Sequence, residues 1–198
     1  MDPQRCWPTT DPLDQAYHDL EWGRPVTDER GIYERLCLEG FQSGLSWRTI
    51  LHKRDAFREA FASFDPDTVA RFREPDVERL LADARIVRHR GKIEAAIANA
   101  RATVELRSDG TPLNELLWAH APAPGPPPQT PADWQPTTPE SVALSKLLKR
   151  RGFRFVGPTT VYAAMQACGV VNDHLATCHV RAAVERERAA AATAPAAG

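Results

Sequence analysis

The sequence predicts an all-α fold: one helical domain over residues 1–180, followed by an Ala-rich tail at residues 181–198. Apolar residues recur at helical spacing along most of the chain, and no segment shows the alternation of a half-buried strand. Helix start signals also recur, with Asp, Ser or Thr placed just before acidic residues or Pro. The length of 198 residues, of which 42% are hydrophobic and 26% charged, is typical of a globular domain.

Three helices are predicted in the first third of the chain. The first runs from Asp11 to Glu21. The second begins at Thr27, an N-cap candidate followed by acidic residues, and reaches about Phe41. Ser46 can cap the third helix. Its inner face would carry Ile50 and Leu51, followed by Phe57, Phe61 and Phe64.

Four more helices are predicted before residue 120. Asp65 and Pro66 open a short one, and residues 74–76 (Glu-Pro-Asp) open another. A longer, Ala-rich helix runs from about Arg88 to Arg107. Residues 113–118 continue the apolar pattern. The apolar face of the helix that opens at residue 74 would carry Val77, Leu80 and Leu81.

Residues 121–139 hold eight prolines, which predicts an extended insertion loop with no chemistry of its own. Trp134 within this loop is expected to dock onto the body of the domain. The tail at residues 181–198 is rich in Ala with mixed charge, and we expect it to fray.

Composition excludes several classes of protein. No stretch approaches 18 consecutive apolar residues, so a membrane span is excluded, and the N-terminus lacks the pattern of a signal peptide. A cytoplasmic protein with no membrane partner and no obligate protein partner is therefore expected. The net charge of −1 argues against indiscriminate coating of nucleic acid, but the distribution of charge matters more than its sum.

Residues 146–165 carry the pattern of a helix-hairpin-helix element. A cation-rich helix end at residues 146–150 leads to Gly152, a short apolar turn, Gly157, and then Pro158 at the start of a second helix. Free N–H groups at such a helix start can donate to a phosphate. The candidate contacts to a DNA backbone are Lys146, Arg151, Gly152, Gly157 and Thr159. An ordinary αα-hairpin with a Gly-rich turn is the alternative.

Two windows of the sequence are locally basic. Residues 84–101 and residues 140–160 each carry five Lys or Arg against one Glu, a net charge of +4. Either window alone is commonly a solvated helix face. Together, and with one of them at the hairpin, they indicate a footprint on a phosphate backbone.

Glu39 is the most unusual single residue, because it projects from the apolar stripe of its helix, three residues after Leu36. Burying an unpaired carboxylate is costly, so either a core partner satisfies it or it lines a ligand pocket. Tyr17, Trp22 and Trp47 lie in the same part of the sequence. Aromatic side chains around one hydrogen-bonding acid are typical of sites that hold a flipped purine, although aromatic residues at helical spacing are usually core.

A metal site is the second candidate constellation. His174 and Cys178, four residues apart, would share one helix face and bind one ion. Cys6 and His18 can complete a Cys2His2 set, which would be a structural zinc site without an open catalytic position. Cys168 and His179 are rival ligands, and a solvated His with a buried Cys is the alternative without a metal.

Taken together, these residues resemble the DNA-3-methyladenine glycosylase I family of the helix-hairpin-helix glycosylases. The resemblance runs from about Cys6 to Cys178. Its motifs are Asp11-Pro12-Leu13, Ala16-Tyr17-His18-Asp19, Glu21-Trp22-Gly23, Cys37-Leu38-Glu39-Gly40, Gly44-Leu45-Ser46-Trp47, Ile86-Val87-Arg88-His89-Arg90-Gly91-Lys92-Ile93, Leu144-Ser145-Lys146 and Met165-Gln166-Ala167-Cys168-Gly169-Val170-Val171-Asn172-Asp173-His174. The pattern departs at Trp7, which follows Cys6 directly.

The resemblance implies an enzyme that removes 3-methyladenine from alkylated double-stranded DNA. It implies that Glu39 contacts the polar edge of the flipped base, Trp47 stacks on it and Tyr17 helps to close the pocket. It also implies zinc ligation by Cys6, His18, His174 and Cys178. In many relatives a catalytic Asp follows the hairpin, but Asn172 stands at that position, and no catalytic Lys is present in the hairpin. A monofunctional hydrolase, not an amine-nucleophile lyase, is therefore expected.

Two other classes of function remain as alternatives. A DNA-binding module without catalysis would use the hairpin and the basic windows, and would give no role to Glu39, Tyr17 and Trp47. A zinc hydrolase is disfavoured, because a catalytic zinc needs an open coordination position.

Overall fold

The structure, a computed structural model, describes residues 4–193, which form α-helices and short 3-10 turns without any strand. The all-α prediction is therefore confirmed for these residues. In chain order the helices are α1 (Pro12–Leu20), α2 (Glu29–Gln42), α3 (Trp47–Ala60), α4 (Pro66–Val69), α5 (Glu74–Ala82), α6 (Arg90–Ser108), α7 (Leu113–Trp118), α8 (Pro139–Arg150), α9 (Pro158–Ala167) and α10 (Arg181–Thr193). None of them is both long and apolar enough to cross a membrane.

Side-chain caps begin the helices that carry the candidate site. The carboxylate of Asp11 accepts a hydrogen bond from the N–H of Leu13 at the start of α1. Asp28 caps α2 in the same way, and the Ser46 hydroxyl accepts from the N–H of Thr49 in the first turn of α3. These caps are local, which is why the sequence predicts the helix starts to within two residues.

Helix α2 is the centre of the domain, and it packs against α3, α6 and α9. A helix surrounded on several sides must bury more than one stripe of residues. Its buried residues run almost without interruption: Ile32, Tyr33, Leu36, Cys37, Leu38, Glu39, Gly40 and Phe41. Glu39 is therefore enclosed by the core as the sequence predicts, with only 7% of its surface exposed.

A second, smaller apolar cluster joins the two ends of the described chain. It consists of Cys6, Leu175, Cys178, Val180 and Val184, and Trp7, Trp22 and Trp134 pack against it. Trp7, Trp22 and Trp134 also line the candidate pocket, so this pocket and the candidate metal ligands lie side by side.

Helices α8 and α9 are joined by a tight turn, residues 151–157. Gly152 adopts a φ of +87°, and the N–H of Phe153 returns to the carbonyl of Leu148 at 3.0 Å. This is a Schellman closure, and its left-handed position favours Gly. Phe153 is buried beneath the turn. Gly157 then caps α9 and Pro158 occupies its first turn, as the sequence predicts.

The Pro-rich segment is mainly extended, with one 3-10 turn at Pro131–Asp133, and its last proline, Pro139, begins α8. Trp134 docks onto the body of the domain as predicted, because its indole N–H donates to the carbonyl of Asp173 at 2.8 Å.

Two predictions about the C-terminal part are corrected. The tail does not fray from residue 181, because residues 181–193 form α10, with Val184 fully buried and Arg188 donating to the carbonyl of Gly169. Residues 194–198 lie outside the described part. His174 and Cys178 share no helix face, since α9 ends at Ala167 and residues 172–180 contain no helix.

Gly169 explains why α9 must end at that point. It takes a φ of +72°, and a Cβ there would lie 2.6 Å from the carbonyl oxygen of Gly23. The close approach of two backbones turns the chain away from the helix axis, and helix periodicity in the sequence does not reveal such a contact.

Candidate active site and metal centre

A cavity of about 350 Å³ opens between α1, α2, α3 and α9. Its walls combine aromatic rings with a few polar groups, the usual composition of a small-molecule site. The lining residues are Trp7, Asp14, Tyr17, Trp22, Glu39, Gln42, Trp47, Arg48, Trp134, Ala163 and Gln166. All three aromatic residues predicted for the pocket and the predicted acid are among them.

The carboxyl group of Glu39 lines this cavity and makes no hydrogen bond or ion pair within residues 4–193. Burial raises the pKa of Glu39 to about 8, because little water is left to solvate the charged form. A carboxyl group with this pKa is largely protonated at neutral pH. A buried acid without a protein partner is a group prepared for a ligand.

Tyr17 and Trp47 form one aromatic wall, with ring centroids 5.0 Å apart and planes tilted by 41°. Tyr17 is buried, and burial raises the pKa of its phenol, with the nearby Glu39 adding to the shift. The indole Nε1 of Trp47 is the one buried side-chain polar atom in the described part of the chain that lacks a hydrogen-bond partner. Trp47, with this unpaired donor, and Glu39, with its unpaired acid, line the same cavity, which favours a ligand site.

Trp22 also lines the cavity, and it forms a second aromatic group with Trp7 at 5.1 Å and Trp134 at 6.2 Å between ring centroids, both edge-on. Sequence reasoning did not place Trp7 or Trp134 in the pocket. The position of Trp7 follows from its indole N–H, which donates to Asp14 of α1 at 3.2 Å. A Trp within a polar, Pro-rich loop was the available signal for Trp134.

Lys92 positions the end of α2, where Glu39 lies. Its ammonium group donates to the carbonyls of Phe41 and Ser43, at 2.9 and 2.5 Å. Burial lowers the pKa of this ammonium. These bonds stabilise the last carbonyls of α2 and the bend that leads to Trp47.

Arg48 is the cation that lines the cavity, and Asp11 holds it. Arg48 Nε donates to Asp11 Oδ2 at 3.0 Å, and His52 Nε2 lies 2.5 Å from the same oxygen. The hydrogen bond from His52 is the largest cause of the lowered pKa of Asp11. The Arg48 side chain remains 64% exposed at the mouth of the cavity.

The four predicted metal ligands come together. One ligand atom each from Cys6, His18, His174 and Cys178 lies within 4.8 Å of every other, and all four residues are buried. His174 Nδ1 lies 3.3 Å from Cys6 Sγ and 3.4 Å from Cys178 Sγ. His18 Nε2 lies 3.6 Å from Cys178 Sγ. This cluster can hold a metal ion.

Both histidines of the cluster are oriented by a second hydrogen bond. His18 Nδ1 lies 2.7 Å from Asp19 Oδ1, and His174 Nε2 lies 3.0 Å from the carbonyl of Trp22. Each ring therefore keeps its other nitrogen for the cluster, as outer partners of metal-binding histidines do. The rival ligands are excluded by position: His179 contacts Asp19 and Gln4, and Cys168 is enclosed in the main core.

The two thiols of the cluster shift each other's pKa. The interaction between the Cys6 and Cys178 side chains is the largest cause of the lowered pKa of Cys178 and of the raised pKa of Cys6. A bound metal ion would favour the thiolate form of both cysteines.

The basic windows differ in how many of their cations remain unpaired. In residues 84–101, Arg85 and Arg90 pair with acids, Arg101 donates to backbone carbonyls and Lys92 is buried. Arg88 alone in that window is exposed and makes no described side-chain bond. In the window at residues 140–160 the cations that form no ion pair within residues 4–193 are Lys146, Lys149, Arg150 and Arg154.

Arg151 does not join this unpaired set, because its guanidinium pairs with Asp109 at 2.6 Å. Arg151 and Gly152 line a surface cavity beside Glu105, near the C-terminal end of α6. Gly157 and Thr159 lie instead at the start of α9. Four of the five predicted backbone contacts are thus divided between two places, and Gly152 has a structural role in ending α8.

Asn172 is not among the residues that line the cavity. Its amide donates to Glu185 of α10 at 2.7 Å and its oxygen accepts from the N–H of His174. Asn172 therefore links the segment that carries His174 and Cys178 to α10.

Comparison with known proteins gives one consistent result. The profile of the methyladenine glycosylase family matches residues 7–182. The DNA-3-methyladenine glycosylase 1 of Escherichia coli (strain K12) is 50% identical over 181 residues, which cover 88% of this chain and 95% of that protein. A DNA-3-methyladenine glycosylase of Haemophilus influenzae is 43% identical over 166 residues, 82% of this chain and 89% of that protein.

Solved structures agree with this result. A crystal structure of a 3-methyladenine DNA glycosylase I superposes with a TM-score of 0.86 at 48% identity, covering 89% of this chain and 98% of that one. The sequence identity to these relatives and the share of each chain that is covered assign this chain to one family. The chain belongs to the methyladenine glycosylase family.

Proposed function

We propose that this chain is a monofunctional DNA-repair glycosylase that hydrolyses the N-glycosidic bond of 3-methyladenine in alkylated double-stranded DNA. The observation that carries the proposal is Glu39, a buried acid without a protein partner in an aromatic-lined cavity of about 350 Å³. The relatives named above carry the same activity in their names. A structure from Staphylococcus aureus, 35% identical, concerns the recognition of 3-methyladenine by such an enzyme.

Glu39 would read the base through charge and hydrogen bonding. Methylation at N3 makes the adenine of the nucleotide cationic, and an opposite charge in a buried site lowers the pKa of a carboxyl group. The cationic base therefore draws Glu39 from its protonated form into the carboxylate, which accepts from the N6 amino group. A guanine would present its O6 acceptor to the same carboxylate, which is repulsive and accounts for selectivity.

The aromatic residues would replace the stacking that a flipped base loses. Flipping costs a few kcal/mol, and least where the lesion has already weakened pairing or stacking. Tyr17 and Trp47 pack together and line the cavity with Glu39, and Trp22 lines it as well. These rings would stack on a planar base or contact its edge.

The reaction needs no general acid. A cationic purine leaves as a neutral base, so no side chain has to protonate it, and the sugar becomes oxocarbenium-like before water attacks. This chain supplies extrusion of the base, its orientation by Glu39 and a pocket that excludes bulk water. The placement of Asn172 against Glu185 agrees with a mechanism that uses no carboxylate there.

The α8–α9 pair would act as a helix-hairpin-helix element on the DNA backbone. The N–H groups at the start of α9, around Gly157 and Thr159, can donate to a phosphate. Lys146, Lys149 and Arg154 carry no ion pair and lie in the same window. A chromosomal DNA substrate also agrees with the cytoplasmic location that the sequence predicts.

The Cys2His2 cluster would hold one structural zinc ion. Bonds of 2.0–2.3 Å at tetrahedral angles place neighbouring ligand atoms roughly 3.3–3.8 Å apart. The three nitrogen-to-sulfur separations of 3.3, 3.4 and 3.6 Å fit that range. The ion would supply folding energy by joining the segment at Cys6 to the segment at His174 and Cys178, and four protein ligands leave it no catalytic position.

Base release tests the proposal directly. The protein is incubated with methylated duplex DNA, and the free bases are separated by chromatography. Release of 3-methyladenine, with 7-methylguanine left in the DNA, is the expected result. Tight DNA binding without any released base would contradict the proposal and favour a DNA-binding protein without catalysis.

A further inference from the structure

The Pro-rich loop contributes to the wall of the candidate pocket, although neither the sequence nor the proposed function gives that loop a role. We infer that Trp134 is a specificity-determining residue whose indole limits the size of the alkylated base that the pocket accepts. The inference rests on the proposed function, because it concerns the base that enters the same cavity. Trp134 lines the cavity together with Glu39 and Trp47.

The indole is fixed at its polar end. Trp134 Nε1 donates to the carbonyl of Asp173 at 2.8 Å. The carboxylate of Asp173 accepts from Tyr162 and Gln166 of α9, at 2.7 and 2.8 Å, and Gln166 also lines the cavity. One residue therefore holds two members of the wall, and Trp134 is held against α9.

The loop that carries Trp134 is held on both sides. The carbonyl of Pro128 accepts from the N–H of Ala176 at 2.8 Å, so the loop is tied to the segment between His174 and Cys178. The carboxylate of Asp133, next to Trp134, accepts from the N–H groups of Gln129 and Thr130 and closes the 3-10 turn. A loop with these bonds and eight prolines loses little further entropy when a ligand binds.

The neighbouring ring also restrains the indole. Trp22 lies edge-on to Trp134 at 6.2 Å, and it packs against His174 at 4.6 Å on its other side. Outward displacement of Trp134 would break its bond to Asp173, and inward displacement would fill the cavity. The wall is therefore rigid, and a rigid wall excludes larger ligands, whereas a mobile one adapts to them.

The test compares two lesions that differ by one methylene group. The values of kcat/KM for release of 3-methyladenine and of 3-ethyladenine from duplex DNA are measured for the wild type, Trp134→Ala and Trp134→Phe. Trp134→Ala is expected to raise the ethyl-to-methyl ratio about tenfold, the scale of one methylene in an apolar pocket. Trp134→Phe keeps an aromatic wall and is expected to stay within threefold of the wild type.

Trp118→Phe is the matched control. Trp118 is also partly buried and also donates its indole N–H to a backbone carbonyl, that of Val26 at 2.8 Å, but it does not line the cavity. Its ethyl-to-methyl ratio should equal that of the wild type. An unchanged ratio in Trp134→Ala, in a protein whose thermal midpoint matches that of Trp118→Phe, would overturn the inference.

A second measurement separates this inference from the proposed function. Calorimetric titration with free 3-methyladenine and free 3-ethyladenine reports the pocket without any catalysis. If the wild type binds the methyl base more tightly and Trp134→Ala removes that preference, the inference stands even where base release is absent. If wild type and variant show the same preference between the two bases, the inference fails even where base release is normal.

Discussion

The side-chain amide of Asn99 on α6 holds both backbone groups of Arg154: Arg154 N–H donates to Asn99 Oδ1 at 2.7 Å, and Asn99 Nδ2 donates to the carbonyl of Arg154 at 3.1 Å. The turn between α8 and α9 is therefore joined to the middle of α6. The next residue, Phe155, adopts a φ of +54°, and a Cβ at Gly40, the neighbour of Glu39, would lie 3.5 Å from the Cβ of Phe155. A strained non-Gly residue persists where the surroundings hold it in place.

Substituting Asn99→Ala is expected to weaken DNA binding while leaving the base pocket intact. The variant loses two hydrogen bonds that shape the turn, and it should lose about 1–3 kcal/mol of stability. Affinity for undamaged duplex should fall, whereas affinity for free 3-methyladenine should not change. Fluorescence anisotropy and calorimetric titration measure the two quantities.

Ser145→Ala is a second variant that tests the same turn. The Ser145 hydroxyl donates to the carbonyl of Val156 at 2.6 Å and supports the same turn from α8. Both variants should lose DNA affinity in the same direction. A large loss of free-base affinity in either one would show that the turn shapes the pocket itself.

Substituting Glu39→Gln is expected to keep the fold and reduce excision of 3-methyladenine by roughly 100-fold, about 3 kcal/mol. The amide preserves shape but cannot supply the negative charge for a cationic base. In the wild type, kcat/KM reports the pKa of the free enzyme, about 8 for Glu39, so it should rise with pH up to that value and then level off. This rise should be absent in Glu39→Gln. Equal pH profiles for the wild type and Glu39→Gln would contradict the role assigned to Glu39.

The same raised pKa sets the sign of a stability effect. The folded state holds the Glu39 proton up to about pH 8, whereas the unfolded chain releases it near the ordinary value of 4.5. The contribution of this proton to the free energy of unfolding is therefore complete below pH 4.5 and is lost as the pH rises to 8. Urea unfolding at both ends of this window should show Glu39→Gln gaining stability relative to the wild type as the pH rises, and a constant difference would contradict the shift.

Unpaired cations are expected to carry the salt dependence of DNA binding. Lys149→Ala, which removes a cation without an ion pair, should lower the dependence of log K on log salt by about one. Arg151→Ala is the comparison, because Arg151 pairs with Asp109 and its loss should change the slope less. Equal changes in slope for Lys149→Ala and Arg151→Ala would indicate that Arg151 also contacts the DNA backbone.

Removal of the ion from the Cys2His2 cluster is expected to lower stability by several kcal/mol, since four buried ligands would lose their common partner. Cys178→Ser should contain less than one zinc per chain by elemental analysis and unfold at a lower temperature. Cys168→Ala, which changes a buried cysteine outside the cluster, should retain one zinc per chain. Full zinc content in Cys178→Ser would contradict the assignment.

Helix starts, the burial of Glu39 and the identity of the pocket residues Tyr17, Trp22 and Trp47 could be predicted from the sequence. Caps and helical periodicity act over a few residues, so they can be read locally. The prediction that His174 and Cys178 share a helix face was wrong, although both side chains lie in the cluster, because residues 172–180 form no helix.

Tertiary structure alone decided which charges remain available and which distant side chains complete the pocket. Arg151 and Asp109 are 42 residues apart, and Trp134 reaches its anchor Asp173 across 39 residues. Local patterning establishes which helices form and which faces are buried. The partner of an exposed cation and the surface on which a Pro-rich loop docks depend on how those helices pack. Packing brings together residues that are far apart in the sequence, so no short-range pattern predicts that they are close in space.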